Sequence, residues 1–281
     1  MKTHLKIRSL ILMLCLFIAS QSAFSQSMQS GIGITSGYFI AHNDVLFAYH
    51  CCPCKLMDNF NKGNYFEGLT YEFAFNMGIE GSIITKLYYN SFSFFNTKVQ
   101  DDYAVLEPDP NNPGQQKLVR SLTQWEWSGK YSLLSLDLMP KITIPNIKLG
   151  IFFGFSFSYL IDSKYNEIYR MVEPGNGYFT PDSTVYAKYG VRLSDDKRSI
   201  IYKEGKMPFK NDFRYGLKFG LTYDYDILGF RISPFVAVDY PLSSVINNVK
   251  LNCTPADSIT PADYHWKITY LQAGIDVKYM F

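Results

Sequence analysis

The chain has 281 residues, of which 27 are Lys or Arg and 25 are Asp or Glu. This balance excludes the strongly basic surface that marks nucleic-acid-binding proteins, so we expect no nucleic acid among its partners. Aromatic residues are abundant, with 22 Tyr and 22 Phe in a total of 17%.

The first 25 residues have the three parts of a secretory signal peptide. Basic residues precede an apolar run from about residue 10 to residue 19, and Ala23-Phe24-Ser25 fits a small-x-small cleavage site. An uncleaved anchor is the weaker alternative, because the run is shorter than the ~18 residues expected of a spanning helix. We therefore predict a signal peptide over 1–25 and a barrel domain over 26–281, which has 24 basic and 25 acidic residues.

The mature chain is dominated by segments in which apolar and polar residues alternate, the period of a β-strand. In one segment Phe213, Tyr215 and Leu217 share a face, and Arg214 and Lys218 lie on the other. Each segment has at least the ~9–11 residues that a tilted strand needs to cross a bilayer. The eight predicted strands are residues 31–41, 65–76, 79–94, 134–144, 149–161, 213–225, 230–240 and 266–281.

The connections between these strands alternate in length. Tight turns at 77–78, 145–146 and 226–229 alternate with long polar loops at about 42–64, 95–129, 162–210 and 243–264. Short periplasmic turns and long outer loops are typical of a closed antiparallel transmembrane β-barrel. We predict an all-β, up-and-down meander of eight strands, with ten strands as the alternative if 183–204 also crosses the membrane. A hairpin above the membrane is preferred for that segment, because 198–204 is short and charged at both ends.

The polar faces of the strands are predicted to point into the lumen. Eight strands leave an interior just wide enough for side chains to fill, so the many large apolar side chains belong on the lipid face. A soluble β-sandwich with one solvated face is the alternative. Six acids and six bases should form lumen ion pairs, with Asp224 and Arg231 side by side. These residues are Glu72, Glu80, Lys86, Asp137, Lys141, Arg214, Lys218, Asp224, Arg231, Asp239, Asp276 and Lys278.

Aromatic residues at strand ends are expected to form the two interfacial girdles of a membrane barrel. Tyr279 and Phe281 are assigned to the periplasmic girdle. The outer girdle, with a sugar-stacking site as the alternative, is assigned to Trp125, Trp127, Tyr131 and Trp266. We expect bulges at Pro140 and Pro234, which lie within strands, because proline removes a ladder hydrogen bond.

Three stretches between about residue 65 and residue 281 carry a family resemblance. They are KYSLLSLDLMPKITIPNIKLGIFFGFSFSYLI, DFRYGLKFGLTYDYDILGFRISPFVAVDYPLSSVIN and the ending Gly274-x-x-Val277-x-Tyr279-x-Phe281. The chain resembles the PorT-like outer-membrane barrels of Bacteroidota-type bacteria, which have an eight-stranded, OmpA/OmpX-like barrel. Its ending is similar to the signal by which the barrel assembly machinery recognises its clients. The resemblance implies export to the outer membrane of a Gram-negative cell and contact with outer-membrane lipid, but no activity, because a fold hosts many functions.

Four cysteines remain after the signal peptide, with Cys51, Cys52 and Cys54 in the first long loop and Cys253 in the fourth. An oxidising compartment favours disulfides. There are two alternatives: a soft-metal site that includes His50, or cysteines that remain as free thiols. The first and fourth loops are neighbours in a closed barrel, which favours Cys52–Cys253 with Cys51–Cys54, although four cysteines allow three arrangements.

The sequence gives catalysis little support. The mature histidines are His42, His50 and His265, there is no His-x-Ser arrangement, and no phosphate-binding loop follows a strand. We expect no enzyme, no cofactor, no metal and a monomeric state. The leading hypothesis is a structural or surface-interaction protein with a plugged polar lumen, whose long outer loops bind a partner of unknown identity. The alternatives are a small channel or accessory component of transport or secretion, and an outer-membrane lipid-modifying enzyme.

Overall fold

The computed structural model describes residues 28–46, 57–76, 80–109, 111–173, 178–179, 192–207, 210–246 and 265–281. Within these ranges no helix is long and apolar enough to cross a membrane. The predicted signal peptide and all four mature cysteines lie outside the described residues. The strands are β1 Met28–Leu46, β2 Met57–Asn76, β3 Glu80–Pro108, β4 Gln116–Ile144, β5 Leu149–Glu173, β6 Arg192–Leu193, β7 Ser199–Gly205, β8 Phe213–Tyr223, β9 Tyr225–Ile227, β10 Phe230–Pro241 and β11 His265–Met280.

Eight of these strands form a closed antiparallel ring. Each strand from β1 to β4 pairs with the strand that follows it. β5 pairs with β8, β8 with β10, and β10 with β11, and β11 pairs with β1 to close the ring. The short β9 continues the line of β8 along β10. The predicted eight-stranded transmembrane β-barrel is therefore confirmed. The β6–β7 hairpin pairs with β5 beyond the stretch that β8 occupies and does not enter the ring.

The last residue of the chain takes part in closing the ring. Along the β1–β11 seam, Gly31 lies opposite Met280 and Gly37 lies opposite Gly274. Next to the Gly31–Met280 pair, the backbone N–H of Phe281 donates to the carbonyl of Ser30 at 2.7 Å, and the N–H of Ser30 donates to the carbonyl of Phe281 at 2.9 Å. The terminal residue is thus held by two backbone hydrogen bonds, unlike the frayed end that chain termini usually have.

Burial alternates along the ring strands with a period of two. On β5 the outward Phe153, Phe155 and Phe157 are all about half exposed, whereas the inward Phe152 and Ser156 are buried. Outward positions around the ring are mostly Leu, Ile, Val, Phe and Tyr. This apolar outer surface is the lipid-facing band, since side chains in the hydrocarbon layer of a barrel are apolar.

The strands on one side of the barrel are much longer than the sequence indicates. β3 and β4 remain paired from the barrel up to Pro108 and Gln116, so the predicted loop at 95–129 is instead a β-hairpin with a short tip. β5 likewise continues to Glu173, within the predicted loop at 162–210. The alternation of buried and exposed side chains continues beyond the lipid-facing band, where the outward residues are a mixture of charged ones, such as Lys130, and apolar ones, such as Phe95.

The bulges predicted at Pro140 and Pro234 are not present. Pro140 lies opposite Ile83 and Pro234 lies opposite Ile275, both without a shift in register. A proline removes one ladder hydrogen bond but adds no residue, and on its other side Pro234 faces the interruption between β8 and β9. A register shift occurs elsewhere, where Ser132 and Leu133 of β4 pair with β5.

Candidate functional site: the lumen and the outer cap

The lower lumen, next to the periplasmic turns, contains a network of buried charges around Glu72. This carboxylate is completely buried and binds Lys278, Lys141 at 2.5 Å and the hydroxyl of Ser82 at 2.7 Å. Lys141 also binds Asp224 at 2.7 Å. Each buried charge therefore has an opposite partner, which is the condition for keeping ions inside a barrel.

A second layer of ion pairs lies deeper in the barrel. Lys218 binds Asp137 at 2.6 Å, and Lys86 binds Asp276 at 2.9 Å. The ammonium of Lys86 also lies 3.4 Å from the centroid of the Phe235 ring, a cation–π contact. All four charged residues are buried. Lys218 and Asp137 belong to β8 and β4, with β5 between them, and Lys86 and Asp276 belong to β3 and β11, with β2 and β1 between them. Each pair therefore links strands that are not neighbours in the ring.

The remaining predicted lumen charges have other partners. Arg214 donates to the Tyr270 hydroxyl at 2.7 Å, and Asp239 accepts a hydrogen bond from Ser156 at 3.1 Å. Glu80 lies half-buried at the periplasmic mouth, where it helps to line a cavity of about 260 Å³.

The predicted side-by-side pair of Asp224 and Arg231 is wrong. Arg231 binds Asp226 at 2.8 Å, within the turn, and lies 3.6 Å from Glu72. Asp224 instead binds Lys141 and accepts a hydrogen bond from Ser233 at 2.8 Å. Arg231 lies directly opposite Asp226 in the pairing of β9 with β10, and this register brings the two side chains together.

The upper lumen contains aromatic rings, contrary to the expectation that large apolar side chains would not fit inside. Phe92 stacks on Tyr131 with ring centroids 5.5 Å apart, and Trp266 packs edge-on against Phe94 at 4.9 Å. The indole N–H of Trp266 donates to Asn43 at 3.1 Å. These rings are buried and pack against one another above the ion pairs.

Glycines on the inner face make room for these rings. A Cβ atom on Gly274 would lie 2.9 Å from ring atoms of both Phe66 and Phe235, and one on Gly220 would lie 2.5 Å from the ring of Phe152. Such contacts are too short for a side chain. Gly274, predicted as part of an assembly signal, therefore also has a packing role inside the lumen.

The four residues assigned to an outer girdle point inward instead. Trp125, Trp127, Tyr131 and Trp266 are at most 5% exposed. The alternation of faces along the strand is the signal that locates them in the sequence. Trp125, Trp127 and Tyr131 share the odd-numbered face of β4 with the inward-facing Asp137 and Lys141. Their residue type indicates an interfacial girdle, but the face of the strand on which they lie determines that they point inward.

Other aromatic residues cover the two rims of the lipid-facing band. Tyr279 and Phe281 are 52% and 58% exposed at the periplasmic end, as a girdle position requires. Tyr38 and Tyr65 lie opposite each other at the outer end and are also largely exposed. Glu67, next but one to Tyr65, is the one charged residue that we find between the aromatic rims on the lipid face of the described strands.

Beyond the lipid band, the outer cap consists of β3 from residue 95, β4 up to residue 130, β5 from residue 162, and the β6–β7 hairpin. Its inner side is aromatic, with Trp125 stacked on Trp127 at 5.0 Å and packed against Tyr169. Its outer side includes an ion pair of 3.2 Å between Arg170 and Glu126 and also exposes apolar side chains, Phe95 among them. The cap is therefore a small sheet with a core of its own.

Two tight turns of the cap are fixed by carboxylates. The side chain of Asn112 and the backbone N–H of Asn111 donate to Asp109, and these hydrogen bonds lower the pKa of that carboxyl. At the β6–β7 turn, the hydroxyl of Ser194 and the N–H of Arg198 lower the pKa of Asp196 in the same way. Both turns are thus stabilised at neutral pH, where the carboxylates are ionised.

The residues considered for catalysis do not form a recognisable active site in the described part of the chain. His265 lies 3.2 Å from Asp44 across the β1–β11 seam, at the outer rim. His42 lies opposite Thr269 in the same seam, so its backbone is four positions from that of His265. No group of three or more His, Cys, Asp and Glu side chains that could hold a metal occurs among the residues described.

No family model and no curated protein matches this chain. Among solved structures, it is similar to Ail, the attachment invasion locus protein of Yersinia pestis, in complex with the heparin analogue sucrose octasulfate. The identity is 13% and the TM-score 0.35, over 90% of this chain and 99% of Ail. It is also similar to Neisserial surface protein A, with 9% identity and a TM-score of 0.32, over 89% of this chain and 97% of that one. At these scores the similarity carries no argument, so the function has to be inferred from the residues themselves.

Proposed function

We propose that this protein is an outer-membrane surface protein whose barrel is closed to solute flow and whose outer cap binds a partner outside the cell. The single observation that carries the proposal is the cap, since β3, β4 and β5 continue well beyond the lipid-facing band. A connection between two barrel strands needs only a few residues, and longer extensions are usually functional.

The construction of the cap supports a role in binding rather than in connection. Its aromatic inner side, with the stacked Trp125 and Trp127, is packed, and its outer side presents both charged and apolar side chains to the surroundings. Packing fixes the shape of the surface before a partner arrives. A preorganised surface loses little conformational entropy on binding, which favours affinity.

The side chains inside the lumen support closure to solutes. Ion pairs such as Lys218–Asp137 and Lys86–Asp276 join non-adjacent strands inside the barrel, and packed rings such as Phe92 and Tyr131 lie above them. We expect no steady conductance from the purified protein in a planar bilayer. A steady, large conductance would contradict closure and would favour the alternative of a small channel.

Membership of the PorT-like barrels and assembly by the outer-membrane machinery remain part of this proposal. The exposed apolar band supports the membrane location, and the position of Phe281 at the closing seam supports its role in assembly. The protein should remain with outer membranes after a carbonate wash and should change its gel mobility on boiling. Release by the wash would contradict the proposed location.

The β3–β4 part of the cap is suited to removal, because the two strands pair with each other down to the barrel. Thr97 lies opposite Glu126, so replacing residues 98–125 by an Asn-Gly turn should close the hairpin in its present register. We expect this variant to assemble, as judged by heat-modifiable mobility, and to lose binding in an adhesion assay of expressing cells on arrays of host-surface proteins and glycans. Equal adhesion by the intact and shortened proteins, well above that of cells without the protein, would refute a role for the cap.

A further inference from the structure

Two lysines of neighbouring strands face each other just above the lipid-facing band. Lys130 of β4 lies directly opposite Lys164 of β5, and both side chains are exposed on the outside of the barrel. Like charges directly opposite each other on adjacent strands are destabilising unless something neutralises them. Neither lysine forms an ion pair with a carboxylate among the described residues.

The surroundings of the two lysines are rich in hydroxyl groups. Ser93 of β3 lies opposite Lys130 and is exposed. One row closer to the membrane, the hydroxyl of Ser132 accepts from the Tyr89 hydroxyl at 3.0 Å and lies 3.2 Å from the hydroxyl of Ser91. Ammonium and hydroxyl groups together donate hydrogen bonds of the kind that phosphate oxygens accept.

The height of the lysines matches the headgroup layer of the outer leaflet. Leu134 is the last lipid-facing residue of β4, four residues from Lys130. Four residues of a strand span about 14 Å, or about 10 Å along the membrane normal at the usual tilt. The headgroup layer is roughly 5–8 Å thick on each side of the bilayer. Long lysine side chains bend towards that layer, which brings their ammonium groups to its level.

We propose that Lys130 and Lys164 form a binding site for the phosphate group of an outer-leaflet lipid. The phosphate bridges the two ammonium groups and accepts from the Ser93 hydroxyl, while the acyl chains lie along the outward side chains of β4 and β5 below. One acid opposes this arrangement, since Asp162 is exposed two residues before Lys164. It forms no ion pair with either lysine in the described structure and leaves the site with a net positive charge.

The test is native mass spectrometry of the full-length mature protein, refolded in a zwitterionic detergent and titrated with phosphatidic acid. Diacylglycerol with the same chains and inorganic phosphate are separate arms. Replacing both residues, Lys130→Gln with Lys164→Gln, should weaken phosphatidic acid binding about 30-fold, because each basic residue near an anionic headgroup contributes about a fivefold effect. Lys117→Gln, at the exposed cap tip, is the matched control and should change nothing. Asp162→Asn should tighten binding.

The outcomes separate the lipid site from its alternatives. Equal binding by the wild type and the folded double variant, or equal binding of diacylglycerol and phosphatidic acid, would overturn the proposal. Inorganic phosphate that binds as tightly as the lipid would show a free-anion site and would also overturn it. If the double variant does not assemble, the salt dependence of binding to the wild type is the test. The affinity of the wild type for phosphatidic acid should fall steeply between about 50 and about 500 mM salt. An affinity unaffected by salt would refute the site.

Discussion

The charge network around Glu72 allows a direct test of how the lower lumen is stabilised. Replacing Glu72 by Gln keeps the size of the side chain and removes the charge that Lys278 and Lys141 bind. Lys141 keeps Asp224, but Lys278 has Glu72 as its carboxylate partner in the described structure. Removing one member of a buried pair costs about 3–5 kcal/mol, and the lower end is expected because Lys141 remains paired.

The measurement is urea unfolding of the barrel in detergent micelles, followed by tryptophan fluorescence. Glu67→Gln is the matched control, because it makes the same change on the same strand at an exposed, outward position. We expect Glu72→Gln to lower the free energy of unfolding by about 3 kcal/mol, and the control to change it by no more than about 0.5 kcal/mol. Adding Lys278→Gln should recover part of the loss, because the uncompensated ammonium is removed.

Equal destabilisation by Glu72→Gln and Glu67→Gln would refute the reasoning. It would mean that the lumen charges are hydrated in solution rather than paired. Strict additivity of Glu72→Gln and Lys278→Gln would also count against a direct interaction between the two residues.

Three further predictions concern the tryptophans, the C-terminus and the cysteines. Brominated lipids should quench the native tryptophan fluorescence weakly, because all three indoles point inward, and a Tyr65→Trp variant should be quenched strongly; strong quenching of the wild type would restore the girdle assignment. Deleting Phe281, or changing Gly274 to Leu, should reduce the amount of heat-modifiable barrel, because each change disturbs the closing seam. Normal amounts of barrel in both variants would show that assembly does not depend on these seam residues. Peptide mapping without reduction should find Cys253 bonded to a cysteine of the first loop, a link worth ~2–4 kcal/mol; a free Cys253 with zinc on the other three would favour the metal alternative.

The sequence alone determined the architecture of the barrel. A strand places successive side chains on opposite faces, so segments such as 149–161 state which residues face lipid and which face the lumen. Their length identified a membrane as the medium, and the alternation of short and long connections indicated a meander. The faces and the length of a strand follow from local backbone geometry, and the connection lengths follow from the spacing of the strands in the sequence.

Only the tertiary structure decided which residues meet inside the barrel and what the long connections form. Lys278 meets Glu72 across 206 residues of chain because ring closure fixes the relative register of distant strands, and no local pattern contains that register. Inward rings such as Phe66 and Phe235 fit because Gly274, on another strand, leaves space beside them. The sequence did not indicate the cap for a related reason. Its segments do not have the apolar outer face of a membrane strand, and only their pairing with each other shows that they continue the barrel strands.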